Sequence, residues 1–247
     1  MVIAVIALAV TAGAIAQRVS GMGFAIIVAP VLVLVVGPVD GILMVNICGA
    51  VSASIILTQV WRDVDWRKYL LLTVPALVAL APGVWIAVRL GGPVLQVGVG
   101  GLLLSVLTLS LVATQREHVF PIVPAGIVSG AACGFLSATA GASGPSVSIF
   151  AVVTRWDQRS FAATIQPFFA TLGTVAFVSK VRSLPDGLPA YPWWLWLLIM
   201  SCTLVGLTVG GYLSRIVSVR LARTSVIVLA YAGATLTVVD GAMALGA

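Results

Sequence analysis

Long apolar runs separated by short polar or glycine- and proline-rich connections fill the chain from end to end. A helix that crosses the hydrocarbon core of a bilayer needs roughly 20 predominantly apolar residues. Only 8% of the 247 residues are charged, whereas soluble domains carry about a quarter. The pattern predicts an all-α polytopic membrane protein with one membrane domain over residues 1–247 and no separate aqueous domain. Ten segments are predicted, at about 1–17, 21–36, 40–60, 68–89, 93–113, 119–137, 144–154, 160–179, 192–214 and 222–245.

The number of membrane crossings depends on residues 1–36 and 119–154, each of which contains an interruption. Each could cross once as a broken element, or enter and leave the membrane as two pieces. The positive-inside rule separates these alternatives, because Lys and Arg accumulate in cytoplasmic loops. Eight simple crossings place six cations on each face, whereas ten segments place ten of the 13 on one face and Arg89, Lys180 and Arg182 on the other. The charges therefore favour ten segments, with both termini outside.

Composition argues against several classes of function. The net charge of +6 comes from dispersed cations rather than from a basic run, so membrane topology explains it and no nucleic-acid partner is predicted. Three isolated cysteines and the single histidine, His118, offer no metal-ligand spacing, and we predict neither a metal site nor a cofactor. The N-terminus lacks the positive region of a signal peptide, so we expect its apolar run to be retained, in a bacterial-type inner membrane.

The two halves of the chain resemble each other weakly. Polar and small residues coincide at an offset of 120 residues, in pairs that include Gly21 with Gly141, Gly23 with Ser143, Asn46 with Gln166 and Ser54 with Thr174; beyond a longer loop the offset becomes 128 and pairs Gly83 with Gly211. With five segments in each half, repeat 1 (about 1–116) and repeat 2 (about 117–247) are predicted to be inverted copies. Secondary transporters commonly use this plan, with the substrate near the bilayer midplane. The alternative is a duplication that serves packing alone.

Each half also contains an irregular stretch rich in Gly, Ser and Pro, at residues 18–24 and 138–146, and we predict broken or re-entrant helices there. Irregular backbone at membrane depth requires surrounding protein or a watery cavity. If a helix starts after each stretch, its free N–H groups and positive dipole end could bind an anion. The candidate substrate-binding residues here are Arg18, Ser20, Gly21, Gly23, Gly141, Ser143, Gly144, Pro145 and Ser146, with Ser143 as an N-cap, Pro145 in a first helical turn, and the hydroxyls of Ser137, Thr139 and Ser148 as further donors. The alternative is that these small residues only allow helices to pack closely.

Two carboxamides and one arginine complete the candidate substrate-binding set. Asn46 and Gln166 occupy equivalent repeat positions within apolar segments, and both are expected to face the interior, as ligands for an oxyanion or as hydrogen-bonding links between helices. Arg18 could neutralise an anion beside the first break or serve as a snorkelling interfacial anchor. Asp240 lies near the C-terminus, so the sequence offers no carboxylate relay for protons inside the membrane.

At these residues the sequence resembles the TauE/SafE sulfite-exporter family of membrane permeases. The resemblance covers most of the chain and rests on the stretch from Ser20-Gly21-Met22-Gly23 to Pro30, on the small residues from Gly126 to Pro145 and on the two-repeat plan. It implies a secondary transporter for a small sulfur oxyanion or organosulfonate, such as sulfite or sulfoacetate. By residue, the resemblance carries over only to the two glycine-rich breaks, where Ser143 stands at the place equivalent to Gly23.

Two other functions compete with a carrier. The same breaks could line the continuous pore of an anion channel. Gly141-Ala142-Ser143-Gly144 also reproduces the GxSG motif of rhomboid intramembrane proteases, but a nucleophilic serine needs a general base and no histidine follows position 118. We therefore predict no catalytic residues and no enzyme. The expected partners are a small anion and the lipid bilayer, and a homodimer is one of the assemblies we consider.

Overall fold

The computed structural model describes residues 2–90, 92–113, 120–184, 191–214 and 219–246, and these ranges contain ten α-helices. The helices are α1 (Val2–Ser20), α2 (Phe24–Val36), α3 (Pro38–Val60), α4 (Trp66–Arg89), α5 (Gly92–Ala113), α6 (Ile122–Thr139), α7 (Gly144–Val153), α8 (Gln158–Ser183), α9 (Trp193–Leu213) and α10 (Val219–Gly246). Eight of them are long and apolar enough to cross a membrane, whereas α2 and α7 have only 13 and 10 residues. This confirms an all-helical chain with multiple candidate membrane spans.

Both interrupted stretches fold back on themselves. In the first, Gly13 of α1 packs so closely on α2 that a Cβ added to it would lie 2.4 Å from Cγ2 of Val28. In the second, Ser129 of α6 donates a hydrogen bond to the carbonyl of Ser146 in α7 at 2.9 Å. The pairs α1–α2 and α6–α7 are therefore antiparallel hairpins. Neither residues 2–36 nor residues 122–153 form a single element that continues in one direction through its break.

An ion pair and a hydrogen bond join the α3–α4 connection to the start of α8. Arg159, which follows α7, forms a 3.0 Å ion pair with Asp63, which follows α3. The backbone N–H of Asp65 also donates to Oγ1 of Thr164 at 2.8 Å. The α3–α4 and α7–α8 connections thus lie at the same end. A single crossing by each of residues 1–36 and 119–154 would place these two connections at opposite ends, whereas ten segments place them at the same end.

The opposite end of α3 contacts the segment that precedes α9. The phenol of Tyr191 donates to Oδ2 of Asp40 at 3.0 Å. Partial burial and the adjacent Asp40 carboxylate raise the pKa of Tyr191 to about 12, so this phenol remains a donor at neutral pH. The hydrogen bond holds Tyr191, which lies just before α9, close to the N-terminal end of α3.

Glycines set the distance between the central helices. α3 crosses α8 where a Cβ on Gly173 would lie 2.5 Å from the carbonyl oxygen of Asn46. α4 crosses α6 still more closely, because a Cβ on Gly134 would lie 1.9 Å from the carbonyl oxygen of Ala76. Small residues allow this approach of one helix backbone to another. The remaining extensive pairings join α1 with α9 and α5 with α10.

Lys180 lies inside a helix rather than in the loop that the sequence predicted for it. Lys180 was assigned to a loop, but α8 extends to Ser183 and buries this side chain. Its neighbour Arg182 is exposed, as a cation near a helix end usually is.

Candidate functional site

The two breaks are shorter than the predicted stretches. α1 continues through Arg18 and Ser20, and the first break covers residues 21–23; the second covers residues 140–143. Gly21 and Gly141 have positive φ angles of 79° and 68°, a conformation that glycine adopts without strain. Their equivalent backbone conformations turn the chain sharply into α2 and α7.

Each break ends at a helix N-terminus. Gly23 is the N-cap of α2, and Ser143 is the N-cap of α7, with Pro145 in the first turn. Neither cap residue makes a side-chain hydrogen bond to its helix. Because the first N–H groups of a helix have no partner within it, both termini present donors and a positive dipole end.

These two termini border one cavity, which residues of α1, α2, α3, α6, α7 and α8 line. The cavity has a volume of about 50 Å³, enough for a few water molecules or one compact anion. Ser148 of α7 donates to the sulfur of Met22 at 2.9 Å and so links the second hairpin to the first break. The lining residues are Gln17, Met22, Gly23, Phe24, Ala25, Ile26, Val45, Asn46, Gly49, Ala50, Ser137, Gly141, Ser143, Gly144, Phe169, Leu172 and Gly173.

The polar lining is uncharged. Asn46 is 3% exposed, and its Nδ2 donor has no hydrogen-bond partner. Gln17 is 2% exposed, and its Oε1 acceptor is also without a partner. A buried polar group normally finds a hydrogen-bond partner, so the free donor of Asn46 and the free acceptor of Gln17 make these two lining residues candidates for contact with a polar ligand.

Comparison with known protein families gives an independent line of evidence. The family model described as Sulfite exporter TauE/SafE matches residues 5–236. The chain belongs to the TauE/SafE family. Searches of curated proteins and of solved structures each gave no significant match. Membership indicates a membrane transporter, and in this TauE/SafE protein the candidate site is the cavity between the two hairpins.

Five of the predicted TauE/SafE site residues line that cavity: Gly23, Asn46, Gly141, Ser143 and Gly144. Ser137, predicted as a further donor, lines it as well. The structure brings these residues together from both halves of the chain. Their contact with a ligand stays a prediction.

Gln17 is a lining residue that the sequence analysis missed. It sits 120 residues before Ser137, the same offset that relates Gly21 to Gly141. The repeat could therefore have identified it. It was overlooked because it ends the first apolar run, where a glutamine resembles a loop residue.

Gln166 occupies a different environment from its repeat counterpart Asn46. Its Nε2 donates to the carbonyl of Gly21 and to the carbonyl of Ala162, each at 3.0 Å. It does not line the cavity. In this TauE/SafE protein Gln166 links α8 to the first break, which is the packing alternative considered for it.

The other candidates also lie outside the cavity lining. Arg18 donates to Oε1 of Gln59 and borders a separate groove of about 350 Å³ between α3 and α9. Ser20 donates to the carbonyls of Ala16 and Met22 within its own hairpin. Ser146 and Pro145 belong to the first turn of α7 without reaching the cavity. Contact between these residues and a ligand stays a prediction.

Gln166→Leu is expected to lower the free energy of unfolding by about 1 kcal/mol, because the carbonyl of Gly21 loses its donor. Part of the loss is offset, since Oε1 of Gln166 is itself buried without a partner. Chemical denaturation or thermal melting in detergent measures the change. If Gln166 only positions the break, the anion concentration that gives half-maximal transport is expected to stay within about twofold of the wild-type value. A ligand contact worth about 1.4 kcal/mol would instead change it about tenfold.

Proposed function

We propose that this protein is a secondary transporter that carries a compact oxyanion, such as sulfite, across a bacterial-type inner membrane. The observation that carries the proposal is the unpartnered Nδ2 donor of Asn46, a residue that lines a small cavity bordered by two helix N-termini. Uncharged donors and dipole ends suit an anion that has to be released again after binding. An organosulfonate such as sulfoacetate carries additional atoms, so the cavity volume favours sulfite.

The proposal includes two inverted repeats. Its support is that helix contacts recur between the halves: α1 packs on α9 as α6 packs on α4, and α2 packs on α10 as α7 packs on α5. In each comparison the helices are five positions apart in chain order. The similar positive φ angles of Gly21 and Gly141 agree with the same relation.

The proposed mechanism is alternating access, and two grooves support it. One borders Ile55 and Gln59 of α3 together with α9, and the other borders Val175 and Ser179 of α8 together with α4. Val175 and Ser179 are the residues 120 positions after Ile55 and Gln59. Because α3 and α8 both line the cavity, we infer that small movements of the hairpins open it toward one groove or the other.

Thermal melting of the purified protein against single anions tests the substrate class. A ligand that binds only the folded state raises the melting temperature, by an amount that grows with concentration. We expect sulfite to give the largest shift among sulfite, sulfate, thiosulfate, sulfoacetate and acetate at equal ionic strength. The substrate class proposed here would be wrong if none of these anions changed the melting temperature.

Transport in proteoliposomes separates the carrier from a channel. A carrier gives saturable sulfite flux, and unlabelled sulfite on the far side of the membrane accelerates uptake of labelled sulfite by counterflow. A channel instead gives a conductance that counterflow does not enhance. Sulfite flux without saturation or counterflow would replace the carrier with the channel alternative.

A further inference from the structure

Lys180 is an unusual side chain in this protein. It lies in α8, one turn before the helix ends at Ser183, and it is 1% exposed. Its Nζ atom has no hydrogen-bond partner. Among the side chains described here, it is the one charged residue in the buried class.

No acidic residue of the described ranges forms an ion pair with this lysine. The carboxylate of Asp40 instead accepts a hydrogen bond from Tyr191. The two ion pairs found in the described part of the chain join Lys68 with Asp65 and Arg159 with Asp63. Ionisable residues within membrane proteins usually pair with each other or mark an ion pathway. The described residues give Lys180 no hydrogen-bonding or acidic partner, so an anion that reached it would supply one.

The position of Lys180 on α8 relates it to the cavity. Leu172 and Gly173 line the cavity, and Lys180 follows Gly173 by seven residues. Residues seven apart share one face of a helix and are separated by about 10 Å along its axis. Its neighbour Ser179 borders the groove between α4 and α8, which Arg89 also borders. Lys180 thus lies two turns from the cavity along α8, next to a residue that borders this groove.

We propose that Lys180 is a second anion-binding position, where the transported oxyanion stops between the cavity and the end of α8. This inference rests on the proposed function. The cavity binds through uncharged donors, whereas Lys180 offers an amine that a bound anion would hold in its charged ammonium form. An anion that leaves the cavity toward the α4–α8 groove would lose its hydrogen bonds to the cavity lining. An ion pair with Lys180 would replace them, so the anion would have a partner in this part of the protein as well. The ligand class at both positions is the same compact oxyanion.

Lys180→Met tests the second position, because methionine has a similar length and fills a buried site. We expect the initial rate of sulfite uptake at low concentration to fall about tenfold or more, the loss of one charged hydrogen bond. Arg182→Met is the matched control, since it removes one exposed positive charge two residues away. We expect the control to remain within about twofold of the wild type, because exposed charges are screened by salt.

Melting temperature without added anion separates a transport role from a structural one. Removing an unpaired buried charge is expected to leave the melting temperature of Lys180→Met unchanged or higher. Lys180→Arg, which keeps the charge, is expected to retain more uptake than Lys180→Met. Wild-type uptake in Lys180→Met, or lost uptake together with a lower melting temperature, would overturn the second site alone. Absence of uptake by the wild type would overturn the proposed function and this inference with it.

Discussion

Asn46→Leu is expected to melt at a higher temperature than the wild type and to lose most anion transport. An unpartnered buried donor destabilises a fold by about 1–3 kcal/mol, and leucine, whose side chain has the same number and branching of heavy atoms, removes that donor. The anion in turn loses a hydrogen bond worth about 1.5–3 kcal/mol, which is roughly 10- to 150-fold in affinity. Opposite signs for stability and transport would identify Asn46 as a ligand rather than a packing residue.

Ser52→Ala is the matched control for this experiment. Ser52 lies on the same helix, its side chain is fully buried, and its hydroxyl also has no hydrogen-bond partner. It does not line the cavity. We expect Ser52→Ala to keep or raise the melting temperature while uptake stays at the wild-type level. Equal uptake by Asn46→Leu and Ser52→Ala would exclude Asn46 from the binding site, and a lower melting temperature for Asn46→Leu would show that its donor has a structural partner.

The helices were predictable from the sequence because apolar length and glycine punctuation are strong local signals. The predicted segment at 144–154 and the observed α7 at Gly144–Val153 differ by one residue. The breaks were predictable in position but not in extent, since Arg18 and Ser20 remain helical. Helix ends depend on caps and packing that a composition pattern does not contain.

The site was less predictable because it depends on the direction of side chains. Gln17 lines the cavity, whereas the adjacent Arg18 borders the outer groove. Consecutive residues of an α-helix point about 100° apart, so neighbours in sequence reach different surroundings. The sequence does not show which face of α1 packs on α2. It therefore cannot predict which of these two side chains lines the cavity and which borders the groove.

The hydrogen-bond partners of buried polar side chains were the other feature that the sequence did not predict. Gln166 and Asn46 are equivalent by repeat position, but the carbonyl of Gly21 accepts from Gln166 while the Asn46 donor stays free. Lys180 lies at the end of an apolar run, where a lysine usually reaches the interface. Its burial results from how α8 packs in the bundle, which no local pattern records. The sequence thus identified the polar residues inside the membrane segments, but it did not predict which of them have hydrogen-bond partners.

Gly134→Val is expected to prevent accumulation of folded protein, the largest stability effect we predict. The added Cβ would meet the carbonyl oxygen and carbon of Ala76 at 1.9 and 2.6 Å. These are backbone atoms of α4, so relief requires α4 and α6 to separate along their crossing. Overpacking typically destabilises by about 1–3 kcal/mol, and a clash with rigid backbone exceeds that range. The measurement is the yield of monodisperse protein in detergent.

Gly98→Val provides the contrast, because a Cβ on Gly98 of α5 meets no atom within 4 Å. Glycine within a helix is less favourable than most residues, by up to about 1 kcal/mol, so this variant is expected to match or exceed the wild-type yield. Both variants add the same side chain to a transmembrane helix, and they differ in whether another backbone occupies the space. Normal yield of Gly134→Val would mean that α4 and α6 do not approach this closely. The cavity wall that α6 forms through Ser137 would then be placed differently from the arrangement described here.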